Sequence, residues 1–349
     1  MRKTINVKDF VFLSYVILPA LFYFFPYVIS MEEGFIRMYF FNAFDIPHEI
    51  FSRLFFGYLI FGFLVYKTLS VTGFEIVYEE NSTTSMNVFI IIFFLAFMYT
   101  PISYLKLLLT PLFYIFISSY RPRNITFFVL LSISLINMVI FYDRYPVILV
   151  LMIWMLPFLS RLNIWKLFLV AFVGVIFLIF ILQPLRAGLL PFSSGFGDVS
   201  YFFKHLFPVY IGAFLLYTED FSFLQLMSES VPFMKSVLGY ESVIEIIAVK
   251  GLPSDIIQSG TRHGSNTSMY FDGYGPFILI GLLSSLYMAI HFFKLQRLKN
   301  TILLIFVLQG PYFLRRTFGS LYIDIIVAIF VCVLISLFVQ VSNKGKSYE

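Results

Sequence analysis

The chain has 349 residues, 60% of them hydrophobic and only 12% charged, with a mean hydropathy of +0.91 and a formal net charge of +5. A soluble globular chain carries about 25% charged residues, so this one lacks the charge for a water-wetted surface and reads as a membrane protein. Its single cysteine, Cys332, excludes an intrachain disulfide framework or a cysteine metal site. The basic excess is what residues flanking membrane helices supply, so it implies no nucleic-acid partner.

Crossing a bilayer takes about 20 mostly apolar residues in helix. That criterion predicts an all-α polytopic membrane protein of about ten transmembrane helices, at 10–30, 53–72, 87–103, 105–120, 125–142, 146–160, 164–184, 276–293, 300–315 and 320–341. The first apolar run, Phe10 to Ile29, is too long for a signal-peptide core and lacks a small-residue cleavage site. Pro19 and Pro26 within it are tolerated more readily in a membrane helix than in a soluble one. The stretch 74–87, with Glu75, Glu79 and Glu80, reads as a plain connecting loop. Three regions follow: 1–185 with about seven helices, 186–275 as one large loop region, and 276–349 with about three helices and a short tail.

Lys and Arg concentrate on the cytoplasmic side of membrane proteins. Arg2, Lys3 and Lys8 therefore place the N-terminus inside. Alternation then brings Arg121, Arg123, Arg161, Lys166, Lys294, Arg297, Lys299, Lys344 and Lys346 to the same side. Both termini come out cytoplasmic, with 31–52, 142–145, 185–275 and 315–319 outside.

The region 186–275 holds ten of the nineteen glycines and a recurring set of ionisable residues. The stretch from Tyr201 to Tyr217 is apolar and aromatic, its clean run from Leu206 is too short to span comfortably, and it reads as an interfacial or re-entrant helix. A membrane hairpin made with part of 221–250 is the alternative. Short amphipathic helices broken by Pro232 and Gly239 fill 222–250, and 251–275 reads as loop.

Two arginines in this region are each followed, after ten intervening residues, by glycine: Arg186 by Gly197, and Arg262 by Gly273. None of the other ten arginines has such a partner. With Gln183-Pro-Leu-Arg186 closing a long apolar run and Tyr270-Phe-Asp-Gly-Tyr-Gly275 opening the next, the chain resembles the bacterial O-antigen polymerases of the Wzy type. The resemblance in topology runs from about residue 90 to the end, with local identity in these motifs. More extensive family members carry the two motifs in separate loops, whereas here they share one.

The resemblance implies an architecture like the GT-C membrane glycosyltransferases, which use polyprenyl-linked donors. It implies polymerisation of undecaprenyl-diphosphate-linked oligosaccharide repeat units into O-antigen, or a related surface polysaccharide, at the periplasmic face of a Gram-negative inner membrane. Donor and acceptor glycans and membrane lipids are then the partners, with a chain-length-regulating membrane protein as a further candidate. An O-antigen ligase using the same donor is the nearest alternative. A flippase for the same lipid-linked unit is the alternative of another class, although the pseudo-symmetric halves expected of a transporter are not visible here.

Arginine suits this substrate on physical grounds. Its guanidinium forks onto phosphate oxygens and stays charged at any working pH. Donors already aimed at a leaving diphosphate stabilise the transition state more than the ground state. Arg186 and Arg262 are therefore expected to hold the diphosphate, with Gly197 and Gly273 permitting close approach or positive φ. Contact with lipid headgroups, or pairing with Asp198 or Asp272, is the simpler account of both arginines. Arg315 and Arg316, between two apolar helices, would either complete the clamp or reach headgroups. An acceptor hydroxyl needs a general base. His263 is the first choice, since an imidazole titrates near neutral pH, and Asp272 and Asp198 are the alternatives. Tyr270 and Tyr274 are candidates to stack on sugar faces or to anchor at the interface. Asp324, inside the last helix, would pair with Arg315 or Arg316 or act itself. No spacing suggests a metal site, so a metal-independent reaction without cofactor is expected.

Overall fold

The structure is a computed structural model. It describes residues 2–40, 42–79, 83–100, 103–141, 145–177, 207–218, 220–229, 234–240, 269–293, 295–310 and 318–345, with a few isolated positions between them. Helix dominates, and a helix stands over each of the ten predicted stretches. Among the described residues, three helices are long and apolar enough to cross a membrane as they stand: Lys8–Glu33 (α1), His48–Thr72 (α2) and Gly275–Phe293 (α11). Between α2 and α11 lie Thr84–Tyr99 (α3), Ser103–Ser119 (α4), Asn124–Phe141 (α5), Tyr145–Leu159 (α6), Ile164–Phe177 (α7), Phe207–Thr218 (α8), Phe223–Ser228 (α9) and Met234–Leu238 (α10). Gln296–Gln309 (α12) and Phe318–Gly345 (α13) complete the described helices.

The outer faces of these helices are apolar. Phe25 and Ile29 on α1, Ile60 on α2, Val139 on α5, Leu169 on α7 and Phe277 on α11 are each more than half exposed. In water such a surface would aggregate. Helices apolar outside as well as inside are what a lipid environment requires, and the described helices are compatible with an all-α membrane protein.

The bundle closes around α12. Every position from Asn300 to Gln309 is buried. Its polar side chains are consequently tied to neighbours, because an unpaired polar group in such a core is costly. Thr301 meets Ser118 of α4 at 3.0 Å. Gln309 donates to the Tyr145 hydroxyl at 3.0 Å and the Tyr114 hydroxyl at 3.3 Å. Asn300 reaches further. Its amide oxygen accepts from Val77 N–H at 3.1 Å, and its amide nitrogen donates to the Val77 carbonyl.

Val77 belongs to a correction. The stretch 74–87, read from sequence as a plain loop, contains a strand, Glu75–Glu79 (β4), which pairs antiparallel with Arg2–Asn6 (β1). Period-two alternation explains it, since Ile76 and Tyr78 are buried while Glu75 and Glu79 face out. The same end of the bundle receives the residues after α4, through Arg121 N–H to the Glu79 carbonyl at 3.1 Å, and the start of α12, through Asn300. Four segments expected on one membrane side thus meet at one end, here called the sheet end. The opposite end carries a second two-stranded sheet, the hairpin of Phe35–Phe40 (β2) with Asn42–Pro47 (β3), joining α1 to α2.

Candidate active site

The hairpin end is where the large loop region returns to the bundle, through the turn into α11. Each residue of Tyr270-Phe-Asp-Gly-Tyr-Gly275 has a structural account. Phe271 lies against Gly57 of α2, where a Cβ would overlap its ring, and packs edge-on to Tyr58 with centroids 5.0 Å apart. Gly273 has φ +55°, the left-handed region that glycine enters without penalty. The turn closes by Gly275 N–H to the Asp272 carbonyl at 2.9 Å. Gly275 itself touches the Met269 carbonyl and Tyr270 backbone so closely that a side chain would not fit.

Asp272 is thereby projected at Arg53, in the second turn of α2. Its Oδ2 accepts from the Arg53 guanidinium, and its Oδ1 accepts from Gly273 N–H at 2.9 Å. The guanidinium also lies over the ring of Tyr217, near the end of α8, 3.9 Å from the centroid, a cation–π contact. The helix α8 is held here by Tyr210, whose ring packs against Tyr23 of α1 and Phe51 of α2 with centroids 5.9 and 5.4 Å away. At twelve residues it is about 18 Å long, short of the hydrocarbon thickness.

These groups surround a cleft of about 260 Å³. Its floor is apolar, from Ile50, Leu54, Leu216 and Met269, and its rim carries Arg53, Asp220, Asp272, Tyr217 and Tyr274. Tyr274 is 56% exposed and touches Phe223 only edge-on, with centroids 6.1 Å apart. Asp220 is exposed on the same rim and has no hydrogen-bond or ion-pair partner among the described residues. The chemistry on offer is one guanidinium held in place by a carboxylate, a second carboxylate left open, and aromatic rings over an apolar floor. That combination suits a sugar, whose hydroxyls take carboxylate and guanidinium contacts while its C–H face lies on a ring.

Of the residues expected from sequence, Asp272, Gly273 and Tyr274 meet in this cleft. Tyr270 corrects its expectation. It is 1% exposed inside the core, so its ring has no free face for a glycan. Arg186, Gly197, Asp198, Arg262, His263, Arg315 and Arg316 lie outside the described residues. Arg53, Tyr217 and Asp220 are the functional candidates that sequence reasoning missed. One signal was present for Arg53, a cation beginning a span at the end expected to face outward, against the charge bias. Comparison of the chain with protein-family models, with curated proteins and with solved structures gives no match.

Proposed function

We propose that this protein is a membrane-embedded glycosyltransferase that polymerises undecaprenyl-diphosphate-linked repeat units into O-antigen or a related surface polysaccharide. In this reading all ten apolar stretches cross a Gram-negative inner membrane, both termini are cytoplasmic, and the hairpin end faces the periplasm. The observation that carries the reading is the placement of the second motif. Its Asp272 and Gly273 line an open cleft with Arg53, Asp220 and two exposed tyrosines, at the end that also carries the β2–β3 hairpin.

The reaction moves the growing glycan from its lipid carrier to a hydroxyl at the non-reducing end of a new lipid-linked repeat. The acceptor oxygen attacks the anomeric carbon as the bond from that carbon to the diphosphate oxygen breaks. The hydroxyl proton passes to a base, and the lipid diphosphate leaves with the bonding electrons. Arg186 and Arg262, with Arg315 or Arg316, would meet that developing negative charge. The described cleft, with two carboxylates to one guanidinium, fits the sugar rather than the diphosphate. Both oxygens of Asp272 are already engaged by Arg53 and Gly273. Asp272 therefore serves as a positioning residue for Arg53, and Asp220 joins His263 and Asp198 as a candidate base. Neither metal nor cofactor has a step in this scheme.

The test is the lipopolysaccharide ladder of a strain lacking the gene. Core bearing a single repeat, with no ladder, is the expected pattern. Core bearing no repeat would point to the ligase or the flippase and overturn the reading. Arg262→Ala restored on a plasmid at normal protein level should leave the ladder missing, and a full ladder would remove Arg262 from the site.

A further inference from the structure

The sheet end holds a second cavity, of about 460 Å³, distant from the cleft along the helices. We propose that it binds the phosphate headgroup of an anionic membrane phospholipid. Three features there favour an anion. Arg297 and Arg2 line the cavity. Glu79 does too, but it is the cross-strand partner of Arg2, an arrangement in which opposite charges offset one another, and that leaves Arg297 for a ligand. The N-terminus of α12 opens onto the cavity at Leu295 and Gln296, and its N-cap residue, Leu295, has no side chain that can cap it. Unsatisfied N–H groups and the helix dipole at such an end attract negative charge. On the wall, the Ser119 hydroxyl has no hydrogen-bond partner among the described residues, although it is shielded from water. An unpaired polar group in such a place calls for a ligand or a structural role.

The rest of the lining says that the ligand is a lipid. Ile115, Cys332 and Ile335 form an apolar wall from α4 and α13. On α13 the neighbouring Phe330 and Leu334 are exposed, 60% and 37%, so the wall continues onto the lipid-facing side of that helix. A headgroup at the α12 N-terminus could thus keep its acyl chains in the bilayer. Basic pockets between membrane helices recognise anionic headgroups in this way.

The experiment uses the full chain, purified in detergent and delipidated, with melting followed as phosphatidylglycerol or phosphatidylcholine of the same acyl chains is added. Phosphatidylglycerol should stabilise the wild type at lower concentration. Arg297→Gln should raise its half-saturating concentration by about tenfold, the worth of one charge-assisted contact. Ser119→Ala, which leaves the charge untouched, should raise it by a smaller factor. Lys166→Gln removes an exposed cation that does not line the cavity and should leave it unchanged. An equal response to both lipids, or an equal loss in Lys166→Gln and Arg297→Gln, would overturn the site. Glycerol phosphate stabilising the wild type as well as phosphatidylglycerol does would make the ligand a soluble phosphate and overturn the lipid assignment.

Discussion

Arg53 and Asp272 are 39% and 54% exposed at their side chains, and their pairing crosses from the second helix to the turn before the eleventh. Ion pairs this exposed contribute about 0–1 kcal/mol to stability, because water and salt screen them. A purely structural role therefore predicts little effect from Arg53→Gln beyond that amount. In the proposed glycan site the same change releases Asp272, uncovers one face of Tyr217 and removes a donor to the sugar. The expected outcome is a melting temperature within a few degrees of wild type and repeat-unit polymerisation lowered at least tenfold. In vitro polymerisation of lipid-linked repeats, beside a thermal melt, separates the two. Unchanged polymerisation would leave the pair as surface electrostatics. Legibility at this scale was uneven. Asp272 and Gly273 stood out because acid and glycine in a polar loop interrupt an apolar chain. Tyr217 looked like the end of an apolar run, and nothing local distinguishes a tyrosine under a guanidinium from one at an interface.

Among the elements, α1 shows how one residue type dictates the packing of another. Pro19 has no N–H, so the Tyr15 carbonyl lacks its α-helical donor, and Leu13–Ile17 widens into a π-turn closed by Leu18 N–H to the Leu13 carbonyl. Two glycines pack against this turn. Gly62 of α2 meets the Tyr15 carbonyl so closely that a Cβ would overlap it, and a Cβ on Gly310 would come within 2.9 Å of Ser14 Cβ. Gly62→Ala should therefore push α1 from α2 and cost about 1–3 kcal/mol, the usual range for overpacking. Gly281, in α11, has nothing near its missing Cβ, so Gly281→Ala should be neutral or stabilising by up to about 1 kcal/mol. Melting of the two variants in detergent makes the comparison, and equal shifts would remove the close crossing of α1 and α2 as the cause. Helix existence was legible here, including a proline-bearing first helix. The π-turn's partner was not, because Gly62 lies 47 positions beyond Tyr15 in a run that reads simply as apolar.

At the scale of the whole molecule, the bundle has two chemically different ends joined by helices with apolar exteriors. β1, β4, the residues after α4 and the start of α12 are bonded together at one end, and the β2–β3 hairpin and the Arg53 cleft lie at the other. The proposed orientation can be read with one reagent, because the single native cysteine, Cys332, is buried. In intact cells with a permeable outer membrane, an impermeant maleimide should label Glu33→Cys. It should label Lys166→Cys only after the inner membrane is broken, and should leave the parent protein unlabelled. Labelling in the reverse order would invert the protein and place the cleft in the cytoplasm, where the proposed polymerisation could not occur.

Hydropathy determined from the chain alone that this is a helix-rich chain with apolar helices, and where those helices run. Those properties are local, since a window of about 20 residues meets lipid or does not. The tertiary structure alone decided that the acidic stretch at 75–79 is a strand, that α12 is the buried axis, that Tyr270 belongs to the core, and that Arg53 is the partner of Asp272. Each is a matter of contact between residues far apart in sequence. In a chain apolar both inside and outside, hydrophobicity does not tell a lipid-facing side of a helix from a protein-facing one; only packing does.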